Sequence, residues 1–354
     1  MSSEVESIAN PVPPEVTTEV LIVGAGPCGL FQVFELGLLG INAHIVDSLA
    51  TPGGQCTELY PEKPIYDIPA LPVCGAQELV DRLMQQIAPF NATFHLGQEV
   101  TELQKKDNGR FFVRTAAGTT FDAGAVVIAA GVGSFQPRRI GLEGAEAHEG
   151  SSIHYRVKSA GDFHDRHLVI FGGGDSALDW TNELAHKAKS LTLVHRRPEF
   201  RAAPASVARM RELVAAGKMK FIQGLAHTLH LDEGTLRGVH VKGSDGTVHQ
   251  LNADALLAFF GLHPKLGPIA EWGMELEKKA LKVDTEKFQT SVEGIFAIGD
   301  INTYPGKKKL ILSGFHEAAL AAFAIQHYLY PQKKQFLQYT TTSPVMHKRL
   351  GVPD

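Results

Sequence analysis

The residues whose chemistry is easiest to read stand in two glycine turns. The first is Gly24-Ala25-Gly26-Pro27-Cys28-Gly29, entered from a β-branched run over residues 18–23. The second is Gly172-Gly173-Gly174-Asp175-Ser176-Ala177, entered from His167-Leu168-Val169-Ile170-Phe171. Each turn opens a helix-forming stretch, and each stretch leads to a second apolar run. One run ends at Asp47 and the other, Leu191-Thr192-Leu193-Val194, ends at His195. Gly24 to Asp47 and Gly172 to His195 are both 23 residues. Glycines in such a turn let backbone N–H groups approach a pyrophosphate at a helix N-terminus, where the helix dipole favours an anion. One turn of this kind is a weak signal. Two with matching flanks and equal spacing predict dinucleotide binding at two places.

The residue after the second strand decides which ribose is read. Asp47 can accept hydrogen bonds from ribose hydroxyls and would repel a 2′-phosphate, which suits FAD or NAD. His195-Arg196-Arg197, with Arg201 close behind, carries the opposite charge at the equivalent place. Guanidinium forks match phosphate oxygens, so the second unit is expected to take NADP(H). The alternative is that Arg196 and Arg197 are solvated surface charges. The expected NADP(H) contacts are Gly172, Gly174, Asp175, Ser176, His195, Arg196, Arg197 and Arg201, with Asp175 also reading as a helix N-cap. Two dinucleotide sites in one chain imply electron flow between dinucleotides. Nicotinamide gives a hydride, and a flavin can pass electrons on singly or in pairs, so the first unit is expected to hold FAD.

The rest of the chain must position these turns. At 354 residues it has room for about two domains. Its 44% hydrophobic content and 20% charged content are those of an ordinary globular protein. Lys plus Arg is 34 against 38 Asp plus Glu, a net charge of −4, which argues against general nucleic-acid binding. No apolar run is long enough to span a membrane. The N-terminus lacks the basic start and apolar block of a secretory signal. Three cysteines, Cys28, Cys56 and Cys74, with no C-x-x-C, point to a reducing, cytoplasmic setting without a disulfide framework. The strand–turn–helix–strand units predict an α/β fold with two Rossmann-like dinucleotide-binding domains. Further strands are expected over residues 125–129, 253–260 and 294–300, and a helix over about 313–328. A polar tail is expected from Gln332 onward.

These motifs, with Gly53-Gly54-Gln55 and Ala297-Ile298-Gly299-Asp300, resemble the thioredoxin-reductase-like flavoproteins over nearly the whole chain. Tyr60-Pro61-Glu62-Lys63, Gly306-Lys307-Lys308-Lys309 and Tyr339-Thr340-Thr341-Thr342-Ser343 resemble the bacterial ferredoxin–NADP reductases of that type. A thioredoxin reductase carries a redox C-x-x-C just upstream of its NADPH turn. Here that region is His154-Tyr155-Arg156-Val157-Lys158-Ser159, so thiol–disulfide exchange lacks its nucleophile. A flavin-monooxygenase signature is matched only at Gly150 and His154.

The resemblance implies an FAD domain split around an inserted NADP domain: residues 1–136 and 260–354, with 137–259 between. It implies FAD contacts at Gly24, Gly26, Cys28, Gly29, Asp47, Gln55, Tyr60, Val100, Phe135, Asp300 and Thr341. Tyr60 would stack on the isoalloxazine, against the alternative of a packed core tyrosine. Asp300 would begin a helix directly after its strand. The C-terminal segment with Tyr339 would cover the flavin of a partner subunit in a homodimer, against the alternative of a flexible polar end. No acid, base or nucleophile is needed for hydride transfer itself. The implied activity is hydride transfer between NADPH and FAD, then single-electron transfer to ferredoxin or flavodoxin. Rival readings are an NADPH-dependent reductase of a small molecule and a non-catalytic redox sensor. Because such partners are acidic, Lys63, Lys307, Lys308, Lys309, Lys348 and Arg349 are candidates for contacting them, against the alternatives of solvated loop charges and, for residues 307–309, contact with the FAD phosphate.

Overall fold

The computed structural model describes residues 15–133, 136–263, 266–333 and 337–352. The chain divides into two compact units, Met1–Ser134 with Lys265–Asp354, and Phe135–Pro264. The first unit opens with β1 (Val16–Val23), α1 (Pro27–Leu38), β2 (Ala43–Val46), α2 (Gln55–Leu59) and α3 (Ala76–Ile87). It continues with β3 (Thr93–His95), β4 (Val100–Lys105), β5 (Phe111–Thr115) and β6 (Thr120–Ile128). The second unit carries β7 (Ile153–His154), β8 (His167–Gly172), α4 (Asp175–Leu184), β9 (Ser190–His195) and α5 (Pro204–Ala215). It ends with β10 (Lys220–Asp232), β11 (Thr235–Gly243), β12 (Val248–Asn252) and β13 (Ala255–Phe259). The chain returns to the first unit for β14 (Ile295–Ala297), α6 (Ile311–Leu329) and α7 (Pro344–Leu350).

In the first unit the sheet order is β3-β2-β1-β6-β5-β4. β1 pairs in parallel with β2 and β6, placing Val20 opposite both Ala43 and Ala125. β6 divides its far edge. Its first half pairs antiparallel with β5, and its second half pairs in parallel with β14 through Val126, Val127 and Ile128. That pairing delivers Gly299 and Asp300 to the same end of the sheet as the turn after β1. In the second unit the order is β7-β13-β8-β9-β10-β11-β12, with β10 to β12 an antiparallel meander. Leu168 and Ile170 of β8 enter one buried cluster, and Val169 and Phe171 enter another. Burial of both faces explains why β8 reads as an unbroken apolar run.

Pro27 at the start of α1 carries the fixed φ that suits a first helical turn. Burial pushes the Glu35 carboxyl on α1 up to about 7. An unfolded glutamate titrates near about 4.3. Between these values the folded chain keeps a proton the unfolded chain has lost, so stability falls as pH rises through that window. Glu35→Gln removes the slope. The variant is expected to melt higher than the parent at about pH 8, by on the order of 2 kcal/mol, and level with it at about pH 4. Equal midpoints at both pH values in calorimetry would refute this.

The structure corrects three expectations. The tail is not simply polar. Residues 344–350 form α7, with Ser343 Oγ accepting from Met346 N at 3.3 Å and Met346 buried. Arg349, a candidate for partner contact, instead donates to Leu38 O at the C-terminal end of α1. Asp300 is not the first residue of an α-helix after its strand. It sits in a 3-10 turn, Gly299–Ile301, and α6 starts only at Ile311.

Candidate dinucleotide sites

In the first unit α1 begins at Gly26 with no side-chain cap and no acidic residue in its first turn. Its leading amides therefore carry the uncompensated positive end of the helix dipole. Gly29 lets the turn fold back on itself, since a Cβ there would lie 1.9 Å from Gly24 O. The second glycine loop closes onto the first through Gly53 N donating to Ala25 O at 2.8 Å. Gly26 and Gly54 consequently face one another: a Cβ on Gly54 would lie 3.0 Å from Gly26 Cα. This cradle, lined by backbone alone at a helix N-terminus, fits a diphosphate.

Asp47 follows β2 and is fixed from both sides. Oδ2 accepts from Ala25 N at 2.6 Å, and Oδ1 accepts from Leu49 N at 2.8 Å. Burial pushes its carboxyl upward, and the two backbone donors pull it down. A carboxylate has about four lone-pair directions, so two remain for ribose hydroxyls. Gln55 opens α2, and its side chain lies close enough to Asp300 to pull that carboxyl down. Burial raises the Asp300 carboxyl, opposed by the ammonium groups of Lys309 and Lys307.

Cys28 and Cys56 behave as packing residues. A Cβ on Gly314 would lie 2.1 Å from Cys28 Sγ, so the thiol fills the space between α1 and α6. Burial, aided by Asp300 and Glu317, pushes Cys28 up to about 12, and burial pushes Cys56 up to about 11. All three cysteines are free. A thiol held this far from its thiolate is a poor nucleophile. Tyr60 lies beside them with its hydroxyl 3.9 Å from Cys56 Sγ, and burial pushes that hydroxyl upward, so it stays protonated.

A group that the sequence reading missed holds the far side of this site. Glu317 of α6 is fully buried. Its Oε2 accepts from Gly299 N at 2.7 Å and Asn302 Nδ2 at 2.8 Å. Its Oε1 accepts from Tyr304 OH at 2.9 Å and pairs with Lys307. Lys307 Nζ also donates to Gly299 O at 2.8 Å. Both backbone groups of Gly299 are thus tied into one ion pair. Lys307 is 6% exposed, which corrects its expected role as a partner-facing charge. A Glu directly before the alanine-rich stretch of an apolar helix is the only local hint, and nothing local names its partners.

In the second unit α4 begins at Gly174 with an open space around it, and Ser176 is exposed in the first turn. Asp175 is not the N-cap. Its Oδ1 accepts from Ala203 N at 2.9 Å, and Arg201 N donates to Gly173 O at 2.8 Å. These two bonds fold residues 201–203 over the glycine turn. The His195 ring lies against Gly173 and stacks on Phe200 at 5.2 Å. Its Nε2 is 3.2 Å from Glu199 O, and burial, with Arg196, Arg197 and Arg201 nearby, holds its pKa low. Arg196 and Arg197, directly after β9, and Arg201, in the segment before α5, are all exposed. Among the described residues no carboxylate pairs with them.

The remaining expected residues are dispersed. Val100 is buried at the start of β4. Tyr339 is 64% exposed and Thr341 is exposed in the single chain. Phe135 lies outside the described residues. Among the described residues no cluster of three potential metal ligands occurs, and no helix is long and apolar enough to cross a membrane.

Two parallel-sheet units, each with a glycine turn opening a helix, define an α/β protein with two dinucleotide sites. The chain belongs to the pyridine nucleotide-disulphide oxidoreductase family, whose model matches residues 18–325. It is 60% identical over 343 residues to ferredoxin–NADP reductase 2 of Cupriavidus metallidurans, a match covering 97% of this chain and 94% of that protein. It is 61% identical over 341 residues to the ferredoxin–NADP reductase of Albidiferax ferrireducens, covering 95% and 96%. The fold is that of thioredoxin reductases. The Lactococcus lactis enzyme aligns with a TM-score of 0.74 at 21% identity, covering 89% of this chain and 99% of that one. The T. acidophilum enzyme aligns with 0.75 at 22% identity, covering 90% and 100%.

Proposed function

We propose that this chain is a ferredoxin–NADP reductase that binds FAD in the first unit and NADP(H) in the second. One observation carries the assignment of the two sites: the strand after each glycine turn ends in opposite charge. A backbone-fixed carboxylate, Asp47, follows β2, and the exposed pair Arg196 and Arg197 follows β9. The reductases at 60–61% identity support the choice of reaction.

FAD, when bound, supplies a centre that takes a hydride and releases its electrons one at a time. The work of the chain is to bind and orient. Gly26 and Gly54 would seat the diphosphate of FAD, and Asp47 its adenosine ribose. Gln55 and Asp300 would hold the chain between phosphate and ring, and Tyr60 would lie against the ring with a neutral hydroxyl. Gly174 and Ser176 would take the NADP(H) diphosphate, with Arg196, Arg197 and Arg201 on the 2′-phosphate. With Cys28 and Cys56 held as thiols, no disulfide relay is needed between donor and acceptor. The acceptor is ferredoxin or flavodoxin. The working form is a cytoplasmic homodimer, in which the exposed Tyr339 segment meets its partner.

The test is anaerobic NADPH oxidation by the purified yellow protein with cytochrome c as terminal acceptor, with and without ferredoxin, and with NADH alongside. Strong stimulation by ferredoxin and preference for NADPH support the reading. Equal rates without ferredoxin replace it with a small-molecule reductase, and no turnover replaces it with a redox sensor.

A further inference from the structure

Residues 307–309 are the only three consecutive side chains of like charge in a chain of net charge −4. The structure separates them. Lys307 turns inward onto Glu317 and Gly299 O. Lys308 and Lys309 remain exposed. The same short segment exposes two large apolar side chains, Leu310 at 45% and Leu312 at 43%. Leu310 is the N-cap of α6. The segment is also held in shape: Lys307 N donates to Tyr304 O at 3.1 Å, Leu310 N to Lys308 O at 3.0 Å, and Gly314 N to Leu310 O at 3.2 Å. It lies beside the first dinucleotide site, because Lys307 Nζ donates to Gly299 O, the residue before Asp300.

We infer that Lys308, Lys309, Leu310 and Leu312 form the docking surface for an acidic one-electron carrier protein. The inference rests on the reductase reading and adds to it the place where the partner sits. The physical case has three parts. An acidic partner is repelled by the chain as a whole, so productive encounter needs a local basic patch to steer it. Two leucines beside the lysines offer apolar surface that becomes favourable once water is displaced, the usual make-up of an interface centre with a charged rim. Anchoring through Lys307 means that little loop entropy is lost on docking, which favours binding. Two of the other candidates are committed elsewhere, Arg349 to Leu38 O and Lys307 to Glu317.

The test compares the holoenzyme with Lys308→Glu and Leu312→Ser variants, using an acidic bacterial ferredoxin as probe and an uncharged quinone as control acceptor. Lys308→Glu is expected to lower kcat/KM for ferredoxin about tenfold at low salt and to flatten its dependence on ionic strength. Leu312→Ser is expected to lower it severalfold with the salt dependence retained. Both variants keep the parent rate of NADPH oxidation with the quinone. If the parent turns over ferredoxin and both variants match it, the surface assignment is overturned and the reductase reading stands. If the parent itself shows no ferredoxin-dependent turnover, both fall. If sedimentation shows that either variant changes the number of chains in the assembly, the patch belongs between copies of this chain and the docking assignment is overturned.

Discussion

Glu317→Ala is expected to destabilise the first unit by roughly 3–5 kcal/mol, the usual cost of leaving one member of a buried ion pair without its partner. In a unit of this size that corresponds to a melting point lower by about 10 °C. The loss comes from several places at once. Lys307 is left as a buried, uncompensated charge, and Gly299 N, Asn302 Nδ2 and Tyr304 OH lose the oxygen they donate to. A double variant, Lys307→Met with Glu317→Leu, separates these effects. Removing both charges together is often close to neutral for stability, so its melting point is expected to recover most of the loss. FAD retention is not expected to recover, because the Gly299 N–H then has no acceptor and the Gly299 carbonyl keeps only the backbone N–H of Asn302, so the Gly299–Ile301 turn is held less firmly. Calorimetry and bound-flavin absorbance on both variants give the answer. If the double variant regains stability and flavin together, the ion pair serves folding alone.

That network also marks the limit of what local sequence carries. The two glycine turns, Asp47 and the arginines after β9 could be read because each works through spacing along one βαβ unit. A turn of fixed length and a residue at the next strand end are local facts, and the folded chain preserves them. Glu317 meets Gly299 across 18 residues of chain, and only the pairing of β14 on β6 brings that turn to the site. Residues 307–309 read alike in sequence, but one is buried and two are exposed, because only tertiary packing puts a carboxylate within reach of the first. Arg349 was misread for the same reason, since its partner is the carbonyl end of a helix more than 300 residues earlier. The α7 helix had a local signal in Ser343-Pro344, a cap followed by an N1 proline, and could have been found. His195 shows a subtler limit. Its place in the spacing is that of a ribose-reading residue, and the structure lays its ring on Gly173 and Phe200.

Replacing Arg196 and Arg197 together by alanine is expected to raise KM for NADPH by about 10- to 100-fold and leave KM for NADH nearly unchanged. A hydrogen bond to a charged group contributes about 1.5–3 kcal/mol. Both guanidinium groups are exposed, so solvent screening keeps the sum toward the lower end of that scale. The preference for NADPH over NADH therefore collapses through binding. Because the 2′-phosphate takes no part in the chemistry, kcat at saturating NADPH is expected to hold within a few-fold, the pattern of lost uniform binding. High salt is expected to weaken NADPH binding to the parent and to change the double variant little, since the attraction that salt screens is already gone. Arg201 alone is expected to give a smaller effect than the pair, because its backbone is already tied to Gly173 O and its loop is held by Asp175. Steady-state kinetics with both nucleotides at two salt concentrations decides the matter. Unchanged KM for NADPH in the double variant would show these arginines to be solvated surface charges and would move the 2′-phosphate site elsewhere in the second unit.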